Sequence, residues 1–264
     1  MNYWNKKDEL KIHAIEHTKE MDADYHNEIA DSVNESSIFG VDFTYNPTMN
    51  IKSPNMNIYI EDSDSVTAVM KNYNPEEKMA VLNFASYKNP GGMFLNGSNA
   101  QEENLCHSSF LYNVLIQFKN SYYYWNNRHK NRSLYLNRAI YSPNIFFFRQ
   151  KKIVPCDVIT CAAPNITAAK KYCDVSDFEN SQILRERINF ILSIANHQKV
   201  DTLILGAFGC GVFGQNPSEV AGIFKELLLT TYKNCFNKVI FAIPSGNKNN
   251  YNSFIKSLIG DLYD

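Results

Sequence analysis

Asn83 to Glu103 reads N-F-A-S-Y-K-N-P-G-G-M-F-L-N-G-S-N-A-Q-E-E, and its first residues complete an apolar run, Met79–Ala85 (MAVLNFA). A continuous apolar run of this length marks a strand covered on both faces. The chain then turns through Pro90, Gly91 and Gly92, crosses a loop to Ala100, and opens a helix at Gln101 with Glu102 and Glu103 in its first turn. Two glycines at such a turn let backbone N–H groups face outward with no side chain in the way, which suits a diphosphate. The spacing is neither G-x-G-x-x-G nor a Walker A loop, so dinucleotide redox and P-loop NTPase chemistry are poor readings. Taken alone, the same residues are ordinary turn and helix-start chemistry, with glutamates complementing the helix dipole.

A second segment repeats the arrangement. Leu205 to Pro217, L-G-A-F-G-C-G-V-F-G-Q-N-P, follows the buried-strand pattern Asp201–Ala207 and precedes a helix read over Ser218–Lys233. Gly206, Gly209, Gly211 and Gly214 make a loop whose amides can approach a ligand closely. Phe208 and Phe213 either stack on a sugar or base, or are core phenylalanines of a tight turn.

Outward from these loops, strands and helices alternate. The spacing predicts a helix over 6–32, with Leu10, Ile12, Ile15, Met21 and Ile29 on one apolar face, then irregular chain over 33–57 with Pro47 and Pro54. Further strands are expected at Met56–Ile60, Asn144–Arg149, Asp157–Ala162 and Lys238–Ile243. Further helices are expected at Asp62–Tyr73, Gln101–Lys119, Asp177–His197 and Asn249–Leu258. The alternation implies an α/β layer architecture on a mixed, largely parallel sheet flanked by helices. In such folds ligands bind outside the carboxyl ends of the strands, where both glycine loops lie.

Composition bounds the function. Across 264 residues, 26 Lys plus Arg against 27 Asp plus Glu leave a net charge of −1, which argues against a surface devoted to nucleic acid. Asparagine occurs 33 times, a usage read as codon bias. No stretch approaches the ~20 apolar residues of a membrane span. The first residues lack the apolar core of a signal peptide. Six cysteines are scattered without a C-x-x-C pair, so neither a disulfide scaffold nor a zinc site is expected. A reduced, cytoplasmic, metal-free and monomeric protein is the expectation.

The string from Asn83 to Glu103 resembles the signature of the microbial-type poly(ADP-ribose) glycohydrolases, which are macrodomain enzymes: three glycines, a short spacer, then Gln-Glu-Glu. The resemblance continues in order through Tyr141–Asn144 (YSPN) and the FFR that follows, Asp157–Asn165 (DVITCAAPN) and Gly206–Pro217 with Val220-Ala221 after it. It implies a macrodomain-type three-layer fold, with residues 1–55 a helical N-terminal extension and 56–264 the catalytic domain. It implies hydrolysis of ribose–ribose O-glycosidic bonds in poly(ADP-ribose) chains on modified proteins, releasing ADP-ribose with no cofactor.

Carried over by position, the resemblance makes Glu103 the catalytic acid and base. Glu102 and Asn83 would position ribose hydroxyls, and Gln101 completes the motif. Gly91 and Gly92, with Gly209, Cys210, Gly211, Val212 and Gly214, would hold the diphosphate. Phe213 would pack on the distal ribose. The family's adenine-stacking aromatic has Phe241 as one candidate, although a phenylalanine within KVIFAI also reads as core. One position departs: Met93 stands where the family has its third glycine, and its side chain would narrow the cleft or change how the loop lies.

Geometry limits the mechanism. Adjacent helical residues point about 100° apart, so Glu102 and Glu103 cannot flank one glycosidic bond from opposite faces. One carboxyl must protonate the leaving oxygen and then deprotonate water. The Tyr122–Trp125 cluster with Arg128, His129, Lys130 and Arg132 reads as a solvated connector with tyrosines tucked onto the core, or as a surface touching polymer. Cys106-His107 reads as helix packing. Two further functions fit the same residues: a non-catalytic ADP-ribose reader, and a hydrolase of mono-ADP-ribosylated protein or nucleic acid. A reader has no need of a carboxylate at Glu103.

Overall fold

The computed structural model describes residues 3–47 and 56–260. Helices α1 (Tyr3–Asp24) and α2 (His26–Glu35) lead into strand β1 (Ser37–Phe39). Then come β2 (Asn57–Glu61), α3 (Ser65–Asn72), β3 (Met79–Phe84), α4 (Gln101–His107), α5 (Leu111–Leu115) and the short α6 (Trp125–Arg128). The chain closes with β4 (Ala139–Arg149), β5 (Lys152–Cys161), α7 (Ile166–Cys173), α8 (Asp177–His197), β6 (Thr202–Leu205), α9 (Pro217–Leu229), β7 (Lys238–Ala242) and α10 (Lys248–Leu258).

The strands form one seven-stranded sheet in the order β1-β4-β5-β3-β6-β7-β2. From β5 to β2 all pairings are parallel, while β4 and β1 add antiparallel at one edge. β3 sits at the centre, and its period of two explains its unbroken apolar run. Ala80 and Leu82 face a core shared with Ile188, Phe224 and Phe254 of α8, α9 and α10. Met79 and Val81 face the opposite core, shared with Met21, Ile29, Val69, Leu105 and Leu111 of the helices before β4. Because β2, β3, β6 and β7 run parallel, their carboxyl ends share one edge, and the segments that follow them gather there.

Several expectations are corrected. The helix read over 6–32 breaks at Tyr25, whose ring packs against Phe110, Phe146 and Phe148. Its buried face carries Ala14, Met21 and Ile29, while Ile12 and Ile15 are exposed. The segment read as irregular over 33–57 holds the end of α2, β1 and the first strand position of β2; Pro54 lies outside the described residues. The helix read over Gln101–Lys119 stops at His107, because Ser109 forms a β-bridge with Phe147 and the Phe148 amide donates to the Ser108 carbonyl at 2.7 Å. Helix α9 ends at Leu229, short of Lys233. In the connector, Tyr122 and Tyr123 are fully buried. Trp125 is sandwiched between the His129 ring and the Arg138 guanidinium.

Candidate active site

At the carboxyl edge of the sheet lies a cleft of about 660 Å³. Its walls are the loops after β3 and β6, and its floor carries both Glu102 and Glu103. Each carboxyl is buried, and each is held by backbone amides of the first loop. Glu103 accepts from the Met93 amide at 2.8 Å through one oxygen and from the Ala100 amide at 3.0 Å through the other. Glu102 accepts from the Ser86 amide at 2.7 Å and from Asn83 Nδ2 at 3.3 Å. Asn83 itself is fully buried behind the carboxyls and also donates to Thr160 Oγ1.

Burial is the main force on Glu102 and pushes its pKa up to about 8, with the neighbouring Glu103 charge adding to the effect against the hydrogen bonds from Ser86 and Asn83. The Glu102 carboxyl is therefore held toward its neutral form in the ligand-free protein. The resemblance assigns the acid role to Glu103 and gives no sign of a perturbed Glu102. What it could not see is how deep each side chain sits, because that depends on the loop folded over the helix start.

The two glycine loops divide their labour. In the first, the Gly92 amide donates to the Asn89 carbonyl and the Met93 amide to Glu103, so its donors are turned onto the protein. The need for glycine there is steric: Gly92 has φ +61°, and a Cβ would stand 2.6 Å from Glu103 Oε1 and 2.8 Å from Glu102 Oε2. Gln101 is likewise turned inward, accepting from the Phe84 amide and donating to the Leu82 carbonyl and to Ser65 Oγ, which pins α4 to β3 and α3.

In the second loop, Gly209 (φ +75°) packs against Ala163 and Gln215, and the Gly214 and Gln215 amides donate back to the Gly211 and Gly209 carbonyls. Among the described residues, the amides of Gly211, Val212 and Phe213 have no acceptor within the protein. Three consecutive amides left free beside a cleft are available as donors to an anion. Gly209, Gly211, Val212 and Phe213 line the cleft. Cys210 instead packs toward the core, and Asn83, Gly91 and Gly214 stand behind the lining.

Of the aromatic candidates, Phe213 is half-buried on the cleft wall, whereas Phe208 is fully buried against Phe84. Phe241 is a core residue, packed between Phe224 and Phe254. Met93 lies half-exposed on the cleft rim with φ −110°, a backbone conformation open to any residue. His107 packs on Phe94 and meets His13 of α1.

Sequence reading missed the far end of the cleft. Asp64 and Ser65 at the start of α3, and Pro244, Asn247 and Asn250 around the start of α10, line it. Asp64 and Asn247 are legible as helix caps, and they do cap, accepting from the Thr67 and Asn250 amides. That the two helices open onto one cleft follows from β2 and β7 being neighbours, a non-local pairing that local sequence does not report. Among the described residues no group of three or more His, Cys, Asp or Glu is placed to hold a metal ion, and no helix is long and apolar enough to cross a membrane.

Comparison with known proteins adds independent findings. Residues 7–150 match the family model of the microbial-type PARG catalytic domain. The chain is similar to poly(ADP-ribose) glycohydrolase from Deinococcus radiodurans in complex with ADP-ribose, at 30% identity and TM-score 0.79, over 89% of this chain and 98% of that one. It is also similar to poly(ADP-ribose) glycohydrolase from Thermomonospora curvata bound to the inhibitor ADP-HPD, at 26% identity and TM-score 0.83, over 94% of this chain and 98% of that one. A search of curated protein sequences found no match.

Proposed function

The chain belongs to the microbial-type poly(ADP-ribose) glycohydrolases, and from that premise we propose how its cleft performs the reaction. It is a glycohydrolase that binds ADP-ribose and acts on poly(ADP-ribose). The observation that carries the mechanism is the pair of buried carboxyls, each fixed by backbone amides, opposite a loop with three unpaired amides.

In the proposed reaction, Gly211, Val212 and Phe213 donate their amides to the diphosphate of the terminal ADP-ribose unit. Gly92 admits the carboxyls close to the sugar, and Phe213 packs on the distal ribose. Glu102, held toward its neutral form by burial, hydrogen-bonds a ribose hydroxyl, with Asn83 behind it. Glu103 gives a proton to the departing ribose oxygen as the ribose–ribose bond breaks. It then takes a proton from the water that adds to the oxocarbenium-like anomeric carbon, so a single carboxyl serves both half-steps. Glu103 enters the reaction protonated: the substrate diphosphate adds negative charge beside the carboxyl pair, which favours the neutral acid, and the proton taken from water restores it.

The finer architecture belongs to the same proposal: a macrodomain-type three-layer core over 56–264, with residues 1–55 as a helical N-terminal extension. β1 lies inside that extension and pairs with β4, so the extension would be integral to the sheet. Polymer carried by modified proteins is the substrate in this reading, and action as a monomer belongs to the same proposal. Free cysteines, four of them buried, accord with a reducing compartment such as the cytoplasm.

Two measurements test this. ADP-ribose at a hundredfold excess over its Kd should stabilise the fold by about 2.7 kcal/mol, and AMP less. Incubation with poly(ADP-ribose) should release free ADP-ribose. Absence of a thermal shift with millimolar ADP-ribose, or of product from polymer, would overturn the reading.

A further inference from the structure

Tyr135 joins the two walls of the cleft through one ring. It stacks on Tyr87 with centroids 4.1 Å apart and planes 11° off parallel, and Phe213 meets it edge-on at 6.1 Å and 62°. Tyr87 directly follows Ser86, whose amide holds Glu102, and Phe213 lines the cleft. Both tyrosines are buried. Tyr87 is anchored further by its hydroxyl, which donates to the His129 carbonyl at 2.9 Å, and by Asn126, which donates to its carbonyl at 3.0 Å.

The backbone that delivers Tyr135 is unusual. Asn131, Arg132, Ser133 and Tyr135 have φ of 42°, 51°, 68° and 62°. Residues with a Cβ avoid this left-handed region, Asn being the most tolerant, and four such residues within five positions mark a conformation imposed by its surroundings. The restraints are visible. The Ser133 and Tyr135 amides both donate to the Lys130 carbonyl, at 2.9 and 3.1 Å, and the Asn165 amide donates to the Ser133 carbonyl at 2.9 Å. From α8, Arg187 is buried and gives its Nε to Asn137 Oδ1 at 2.7 Å, Nη2 to the Leu134 carbonyl at 3.4 Å, and Nη1 to the Ala162 carbonyl. Among the described residues no carboxylate pairs with this guanidinium, so a buried cation is committed to holding the turn against the end of β5.

We infer that Tyr135, locked by the left-handed turn and Arg187, is a positioning residue that sets Phe213 against the distal ribose and the Ser86 amide against Glu102 together. The inference rests on the glycohydrolase reading of the cleft. Neither Tyr135 nor Arg187 touches the reacting atoms, so the effect passes through Phe213 and the first loop.

The test compares Tyr135→Phe, Tyr135→Leu and Ser133→Val for kcat and KM on poly(ADP-ribose), calorimetric Kd for ADP-ribose, and melting temperature. Tyr135→Phe keeps the stack and should hold kcat within ~2-fold of wild type, whereas Tyr135→Leu should lower kcat by ~10-fold or more, since misplacement of about 1 Å can cost ~100-fold. The Kd for free ADP-ribose should move much less than kcat. Ser133→Val disfavours the left-handed turn without touching a ring, because a β-branched residue avoids φ near 68°, so it should lower kcat by ~3-fold or more with a smaller change in Kd. This variant keeps the test decisive if Tyr135→Leu does not fold. With an active wild type, an unchanged kcat in folded Tyr135→Leu or in folded Ser133→Val overturns this inference alone. Equal losses in Tyr135→Phe and Tyr135→Leu would also overturn it. A wild type that releases nothing from polymer overturns the glycohydrolase reading and this inference with it.

Discussion

Gly92 and Glu103 approach so closely that residue 92 has no room for a side chain: a Cβ there would stand 2.6 Å from the Glu103 carboxylate oxygen. The same Cβ would reach Glu102 Oε2 at 2.8 Å, on a backbone with φ +61°. Gly92→Ala should therefore cost more than ~1 kcal/mol of stability and displace the carboxyls by several tenths of an ångström. A turnover loss of ~100-fold is expected alongside a lowered melting temperature. A variant with wild-type melting and turnover would show that the loop yields easily and that the contact is not what the motif's second glycine is for.

Glu103→Gln keeps size and one of the two amide hydrogen bonds, the Met93 or the Ala100 amide losing its acceptor, and removes the proton that the leaving oxygen needs. Loss of a general acid costs ~10²–10⁴ in rate, and the upper end is expected because the same group activates water. Affinity for ADP-ribose should stay equal or improve slightly, with one negative charge gone beside a diphosphate. Glu102→Gln replaces a carboxyl that burial holds toward its neutral form and that positions rather than relays the proton, so its turnover should stay within ~10-fold of wild type. Single-turnover release of ADP-ribose from polymer, with calorimetry on both variants, makes the comparison. The reverse ranking would move the proton relay to Glu102.

Glu102 also gives stability a pH dependence. Folded, it keeps its proton up to about pH 8; unfolded, it releases it near the ordinary value of about 4.3. Between these values the folded state holds a proton that the unfolded state lacks, so this contribution is full at low pH and is lost as pH rises toward 8. Glu102→Gln has no such slope. Relative to wild type, the variant's unfolding free energy should rise increasingly from pH 5 up to pH 8–9, by an amount on the order of a few kcal/mol, with the melting temperature following. A difference that stays constant across that range would place the Glu102 carboxyl in water.

Met93 adopts φ −110° and ψ 28°, so the backbone places no demand for glycine at this position, and the side chain sits on the cleft rim. Met93→Gly should keep the fold, lose at most ~1 kcal/mol of stability to chain entropy, and leave polymer turnover equal or higher. A turnover loss beyond ~10-fold, ~1.4 kcal/mol in barrier, would show that the loop is built around the methionine.

Phe213→Ala should leave the fold intact, because the ring is only half-buried, and should lower turnover by ~100-fold through loss of ribose positioning. Melting temperature and turnover measured on the same preparation separate the two. Unchanged turnover would assign Phe213 to the Tyr135 contact alone.

Much of this molecule is legible in local sequence. The apolar run of β3, the cap at Asp64, the long helix Asp177–His197 and both glycine loops follow from periodicity and turn chemistry, which act over a few residues. The adjacency of Gln101, Glu102 and Glu103 at a helix start was equally plain, since the N-terminal turn is a local feature. Tertiary structure alone decided the rest. The helix after Gln101 ends at His107 because a strand 38 residues further on, at Phe147, pairs with Ser109. Asp64 and Asn247 reach one cleft because β2 and β7 are neighbours, and the Glu102 pKa is raised because burial beneath the first loop excludes water. Tyr135 reaches Tyr87 only through a backbone turn that no local preference favours, held by an arginine from α8. Propensity and pattern are properties of a short segment, whereas burial, pairing and strain depend on which distant segment arrives to cover it.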